Sequence, residues 1–99
     1  MFARLVSAQV RIDKQDEVIR IWKWNDIPLM KSVKGYRGAY LLIDRKTGKG
    51  ISLTLWDSEE DAIADEKSAL HQKQVDMYKG FFTGKFTSQR YEVSAQDKI

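Results

Sequence analysis

Residues 2–11 have the two-residue period of a β-strand, in which successive side chains lie on opposite faces. One face of this predicted strand carries Phe2, Val6, Ala8 and Val10. The other face carries Ala3, Leu5 and Ser7. Both faces are largely apolar, whereas a strand with one face in water shows polar residues at every second position. The pattern therefore predicts a strand that is covered on both sides.

The period becomes helical after Asp13, the predicted N-cap, and favours a helix that runs to about residue 33. The residues of its apolar stripe are Val18, Ile21, Trp22, Asn25, Leu29 and Val33. Pro28 lies inside this segment and has no backbone N–H, so we expect a kink or break one turn upstream of it. Gly35 is expected to end the helix.

The segment that follows predicts a β-hairpin and the start of a second helix. Residues 36–44 are rich in aromatic and aliphatic side chains, and residues 51–56 alternate like a strand with two different faces. The charged turn between them contains two glycines, which supply the positive φ that tight turns require. Ser58 is the predicted N-cap of the next helix, because three acidic residues follow it in the first turn.

The second helical region has a thin apolar face at first and a stronger one toward Phe81. This change predicts either one helix with a bend near Ser68–His71 or two short helices in succession. Residues 86–93 alternate again and are the last predicted strand.

The order of these elements is strand, helix, strand, strand, helix, strand. It predicts an α+β fold of the ferredoxin-like βαββαβ type, in which a four-stranded antiparallel sheet carries the helices on one face. The strands are apolar on both faces, yet the chain has no third layer of its own. We therefore expect a homodimer in which a second copy packs sheet against sheet. In this prediction the second copy covers the face that carries Val6.

Composition narrows the class of protein. Ninety-nine residues make one domain, which we assign to residues 1–95 with a short tail at 96–99. The chain has no cysteine, and its apolar runs are too short to span a membrane. No signal peptide is evident, so a cytoplasmic protein without membrane partners is expected. The net charge of +3 is spread along the chain rather than gathered in a stripe, which argues against nucleic-acid binding.

Few residues offer chemistry. His71 is the only histidine, and a lone helical histidine in polar surroundings is more often a surface residue than a base facing a cavity. The acidic residues 59–61 are consecutive and point in different directions, which fits helix capping better than metal binding. We therefore expect no metal and no organic cofactor, and the catalytic residues stay unassigned.

The aromatic residues predict a pocket between the helices and the sheet, where a small aromatic ligand would bind. The candidate pocket residues are Ser7, Trp22, Asn25, Trp56, His71 and Tyr78. In this interpretation Asn25 and Ser7 are the polar points of an otherwise apolar site. The alternative is that the rings simply fill the core, which is the commoner role of aromatic side chains. Asn25 fits the core less well, because a buried amide needs hydrogen-bond partners.

The run GYRGAYLLIDRKTGKG, closing on LWDSEE, resembles the antibiotic-biosynthesis-monooxygenase type of dimeric α+β barrel, and the resemblance covers Phe2 to Val93. Members of that superfamily oxidise polycyclic phenols without metal or flavin, degrade haem or oxidise quinols. The haem-degrading branch uses an asparagine in the first strand and a tryptophan and a histidine in the second helix. Here the matching strand position is Ser7 and no tryptophan follows Trp56, so the resemblance disfavours haem degradation.

Three functions remain open. The resemblance implies a cofactor-independent monooxygenase acting on an aromatic or polyketide-like small molecule. A non-catalytic small-molecule-binding or stress-associated homodimer would use the same pocket. A structural or interaction module would have the pocket filled by side chains.

Overall fold

The computed structural model describes residues 1–97 of the chain. Its strands are β1 (Phe2–Val10), β2 (Tyr36–Ile43), β3 (Lys49–Trp56) and β4 (Phe82–Glu92). Its α-helices are α1 (Gln15–Ile21), α2 (Ile27–Met30), α3 (Glu59–Glu66) and α4 (Ala69–Asp76). A 3₁₀ turn, Ile12–Lys14, precedes α1, and a π-helical segment, Trp22–Asp26, joins α1 to α2. The last two positions of the predicted tail lie outside the described residues.

The four strands form one antiparallel sheet in the order β2–β3–β1–β4. The central strand β1 pairs with β3 on one side and with β4 on the other, so that Leu5 lies opposite both Leu53 and Gln89. The β1–β4 register shifts between Ser7 and Gln9, which marks a local irregularity. The predicted α+β, ferredoxin-like arrangement is thereby confirmed.

The helices cover one face of the sheet and, within the described part of the chain, leave the other face open. The open face carries large apolar side chains: Tyr40 is 62% exposed, Leu42 50% and Tyr91 51%. Val6 lies on the helix-covered face, where it lines a cavity together with Val10. The expectation that Val6 belongs to the face available to a partner was wrong. Two-residue alternation separates the two faces correctly but does not say which one the helices cover.

Two apolar clusters hold the helices on the sheet. In the first, Val10 and Val18 pack with Tyr78, so β1 is joined to α1 and to the turn after α4. In the second, Met30 packs with Trp56 and Ala62, so α2 is joined to β3 and α3. Trp56 is fully buried, and its indole N–H donates a hydrogen bond of 2.9 Å to Thr54 Oγ1. A space remains between the two clusters.

The helices differ from the predicted ones in their bounds. Asp13 does not cap α1, because the 3₁₀ turn takes its place and Lys14 becomes the N-cap without a side-chain hydrogen bond. The second helical region is divided into α3 and α4, which agrees with one of the two predicted alternatives. Ser68 starts α4 by accepting a hydrogen bond of 3.0 Å from the backbone N–H of His71.

The predicted cap at Ser58 is present: its hydroxyl accepts a hydrogen bond of 3.2 Å from the backbone N–H of Asp61. Replacing Ser58 by alanine removes this hydroxyl acceptor. The backbone N–H of Asp61 then has no other acceptor within the helix, because it lies in the first turn. We expect the free energy of unfolding to fall by about 1 kcal/mol in urea denaturation. Ser94→Ala, at an exposed position outside the helices and strands, serves as the control and should change it by less than about 0.5 kcal/mol. Equal effects of the two substitutions would contradict the capping role.

Candidate ligand-binding cavity

A cavity of about 410 Å³ lies between the helices and the covered face of the sheet. This volume is in the range of small-molecule sites, roughly 300–1,000 Å³. Its apolar wall is formed by Val6, Ala8, Val10, Val18, Trp22, Ile27, Met30, Leu41, Val75, Phe82 and Phe86. The indole N–H of Trp22 donates to Ser52 Oγ at 3.3 Å, which ties this ring to β3. The wall is therefore suited to a flat apolar ligand.

A carboxylate and a phenol form the first polar feature of the cavity. The Tyr78 hydroxyl donates to Asp26 Oδ2 at 2.5 Å, and both residues line the cavity. Burial raises the pKa of Asp26, and the hydrogen bond from Tyr78 offsets this only in part. Burial and the neighbouring Asp26 charge raise the pKa of Tyr78 well above its usual range. Tyr78 therefore stays protonated and remains the donor of this bond.

The π-helical segment explains why Asp26 faces the cavity. A regular α-helix continued from Val18 would place Asn25 toward the sheet. Instead, the backbone N–H of Ile27 donates to Trp22 O, five residues earlier, so the segment holds one extra residue. The buried stripe is shifted by one position, and Asp26 takes the place expected for Asn25. Pro28 accounts for the irregularity, because its ring clashes with the carbonyl four residues earlier and it lacks an N–H.

A buried ion pair forms the second polar feature. Arg4, on β1, is 3% exposed and Asp65, on α3, is 4% exposed. Arg4 Nη2 donates to Asp65 Oδ2 at 2.9 Å, and Nη1 donates to the backbone oxygen of Ala62 at 3.2 Å. The guanidinium lies 5.0 Å from the centroid of the Trp56 ring. Among the described residues, Arg4 Nε and Asp65 Oδ1 have no hydrogen-bond partner.

His71 is half-buried beside this pair and also lines the cavity. Its Nδ1 lies 3.7 Å from Asp65 Oδ2, which is longer than a hydrogen bond. Burial lowers the pKa of His71, and the positive charge of Arg4 lowers it further, against the opposing effect of Asp65. The imidazole is therefore neutral at neutral pH and can accept a proton.

The cavity is bordered near β4 by a second ion pair. Arg90 Nη1 donates to Glu66 Oε2 at 2.9 Å, and its Nε lies 3.5 Å from Glu59 Oε2. Ser88 Oγ donates to Glu66 Oε1 at 3.4 Å. Both arginines that line the cavity, Arg4 and Arg90, are thus already paired with carboxylates.

The structure brings together three of the six predicted pocket residues: Trp22, His71 and Tyr78 line the cavity. Trp56 is completely buried behind Arg4 and packs in the core. This agrees with the alternative prediction that the aromatic rings fill the core. Asn25 is exposed, so the expectation that it anchors a ligand is not met. Ser7 lies on the open face of the sheet, since it pairs with Ile51 and alternates with Val6.

Sequence reasoning missed Asp26, Arg4 and Asp65. Arg4 had a detectable signal, because it is a charged residue on the same face of β1 as Val6 and Val10. Asp26 had no comparable signal, since its inward position depends on the π-helical segment. Asp65 lies on a helix whose apolar face is thin, so its burial depends on the partner in β1.

Residues 1–97 contain neither a cluster of metal-binding side chains nor a membrane-spanning helix. No group of three or more histidine, aspartate or glutamate side chains is placed to hold a metal ion. None of the described helices combines the length and the apolar character that a membrane-spanning helix needs.

Comparison with known proteins identifies the fold. No protein-family model matches the chain, and no curated protein matches its sequence. Solved structures do match. The ActVA-Orf6 monooxygenase of Streptomyces coelicolor, in complex with nanaomycin D, has a TM-score of 0.75 and 16% identity, over 99% of this chain and 91% of that one.

Two further structures are similar over almost their whole length. A Nitrosomonas europaea protein, provisionally described as an antibiotic biosynthesis monooxygenase, has a TM-score of 0.77 and 16% identity over 96% of this chain and 100% of that one. The haem degrader MhuD of Mycobacterium tuberculosis, with two haems in its active site, has a TM-score of 0.77 and 15% identity over 99% and 100%. The chain has the fold of proteins named as antibiotic biosynthesis monooxygenases, as its sequence resemblance implies.

Proposed function

We propose that the protein is a cofactor-independent monooxygenase that oxidises an aromatic or polyketide-like small molecule in the cavity between helices and sheet. The observation that carries the proposal is an apolar cavity into which two proton-accepting groups, Asp26 and His71, project. A planar ligand bound in such a cavity would be oriented by its walls and would displace water from the two groups, which strengthens electrostatic effects on the ligand. The fold shared with the nanaomycin-bound monooxygenase adds support at the level of architecture.

The chemistry requires little from the protein beyond these groups. Loss of a proton from a ring hydroxyl makes the substrate an electron-rich anion, which transfers electrons to dioxygen. At an activated ring CH₂ group, two C–H bonds and the O–O bond break. One oxygen atom becomes the new carbonyl oxygen and the other leaves as water, so CH₂ and O₂ give C=O and H₂O. The protein would take up the first proton at Asp26 or His71, both of which line the cavity.

The proposal includes a homodimer in which the open faces of two sheets pack together. Large apolar side chains on that face, Tyr40, Leu42 and Tyr91, are at least half exposed. They are continuous with Leu5 and Leu53 along the paired strands. Exposed apolar side chains grouped on one face are typical of contact sites between proteins, and an isologous sheet-to-sheet contact would bury them.

Oxygen uptake tests the monooxygenase directly. We expect the purified protein to consume one dioxygen per anthrone and to form the corresponding anthraquinone and water. Ala8→Phe places a ring in the cavity and should lower the rate by about tenfold or more, because the substrate loses its space. Ala64→Phe, at an exposed position on α3, is the matched control and should leave the rate unchanged. A rate no higher than that of heat-denatured protein for every compound would refute catalysis.

A non-catalytic binding protein is the second candidate function. It is favoured by the internal pairing of both arginines that line the cavity, which leaves neither free to act on a substrate. In that case the same compounds would bind to the wild type but not to Ala8→Phe, and no oxygen would be consumed. A structural module would bind none of them.

A further inference from the structure

We infer that Asp26 is the specificity-determining residue of the cavity: its carboxylate binds the hydroxyl of a neutral phenolic or enolic ligand and disfavours aromatic acids. The inference concerns recognition at the site of the proposed function and rests on that proposal for its biological meaning. It does not depend on whether the bound ligand is then oxidised.

Asp26 is the carboxylate of the cavity wall that is not paired with an arginine. It lines the apolar space, and its Oδ2 accepts a hydrogen bond from Tyr78 at 2.5 Å. The Gln74 amide is a second neighbouring donor to this carboxylate. A carboxylate has about four lone-pair sites, so two partners still leave capacity for a further donor. The contact with Tyr78 also shows that the local geometry suits a phenolic oxygen, because Tyr78 is itself a phenol.

The distribution of charge distinguishes Asp26 from the other carboxylates of the cavity. Arg4 is paired with Asp65, and Arg90 is paired with Glu66. Asp26 makes no ion pair with any residue in 1–97. A half-buried carboxylate without a cation is costly to keep, and such groups occur preferentially at functional sites.

The distribution of charged side chains around the cavity also determines which ligands can bind. A ligand carboxylate would find no unpaired cation among the described residues of the wall, and Asp26 would repel it. A ligand ammonium would lose its hydration in the apolar cavity, and the single carboxylate of Asp26, already hydrogen-bonded to Tyr78, would offset that cost only in part. A neutral hydroxyl avoids both penalties and donates a charge-assisted hydrogen bond to Asp26.

This placement also assigns a step in the proposed oxidation. When the ligand hydroxyl gives up its proton, its O–H bond breaks and a new O–H bond forms on the Asp26 carboxylate. Burial raises the pKa of Asp26, which brings it closer to that of a phenol and makes the transfer less unfavourable. The hydrogen bond from Tyr78 keeps the carboxylate oriented during this step.

Calorimetric titration under nitrogen at pH 7 tests the inference with four probes: 1-naphthol, naphthalene, 1-naphthoate and 1-naphthylmethylammonium. Wild-type protein is expected to bind 1-naphthol about tenfold more tightly than the other three. Asp26→Asn should lose this preference while binding naphthalene as before, since the amide has the same shape but no charge. Asp16→Asn removes one carboxylate from an exposed position in α1 and should keep the wild-type preference.

Tyr78→Phe provides a second, independent variant, because it leaves the Asp26 carboxylate in place. It should retain the preference for 1-naphthol over 1-naphthoate. The inference is overturned if wild-type protein prefers the acid or the ammonium, if Asp26→Asn keeps the preference, or if Tyr78→Phe loses it as fully as Asp26→Asn does. Selective binding without oxygen uptake would instead refute the proposed monooxygenase and leave the role of Asp26 intact.

Discussion

Replacing Arg4 by methionine is expected to lower the free energy of unfolding by about 3–5 kcal/mol, the largest effect we anticipate for a single side chain outside the apolar clusters. The substitution leaves Asp65 buried at 4% exposure without its cation. It also removes a hydrogen bond to the backbone oxygen of Ala62 and a contact with the Trp56 ring. Urea unfolding followed by tryptophan fluorescence, at one fixed protein concentration, measures the change.

Two further variants separate the loss of a charge from the loss of its buried partner. The double substitution Arg4→Met with Asp65→Leu should recover most of the stability, because no buried charge is then left unpaired. Arg90→Met removes an arginine from the more exposed pair with Glu66 and should cost about 1 kcal/mol or less. If Arg4→Met cost no more than Arg90→Met, the burial of the Arg4–Asp65 pair would have no energetic consequence.

The fold could be predicted because its signals are local and agree with one another. Alternation identified three of the strands, and a run of aromatic and aliphatic side chains identified β2. The glycines located the hairpin turn, and Ser58 marked the start of a helix. The strand bounds moved by a few residues, most of all in β4, which begins at Phe82 rather than at residue 86. These shifts do not change the topology, because register in a two-layer fold is set by which side chains are buried.

The candidate site could be predicted only in part, because it depends on two features that the periodicity of side chains does not reveal. One is the π-helical segment before Pro28, which replaces Asn25 by Asp26 on the inner face. A helical stripe read with a period of 3.6 residues cannot include such an insertion. The other is the pairing of Arg4 with Asp65, 61 positions apart in the chain. Arg4 shares a face of β1 with apolar residues that line the cavity, but Asp65 looks like a surface charge until the sheet and α3 are brought together.

The remaining wrong predictions, for Ser7 and Val6, concern which face of the sheet the helices cover. Ser7 and Val6 are neighbours in β1 and must lie on opposite faces. The sequence shows that both faces are apolar, but the helices choose between them through packing that involves Val10, Val18 and Tyr78. Ser7 therefore belongs to the open face, next to Ile51, and is a candidate for contact with a second copy rather than with a ligand.

Leu53→Asp is expected to convert a homodimer into a folded monomer. Leu53 lies in the centre of the open face, opposite Leu5 on one side and Tyr40 on the other. In the dimer an aspartate there would be buried without a partner, which costs several kcal/mol, whereas in the monomer it would face water. Light scattering coupled to size exclusion at micromolar concentration should report twice the chain mass for the wild type and once for the variant.

The matched control is Gln72→Asp, which adds the same charge at an exposed position on α4, on the helical side of the molecule. It should remain a dimer, and circular dichroism should show that both variants are folded. Two stable sheets packed face to face would bury roughly 800 Å² per partner or more, so one central charge is enough to disrupt the contact. A wild-type monomer, or a Leu53→Asp variant that still dimerises, would show that the open apolar face of the sheet is not the interface between two copies.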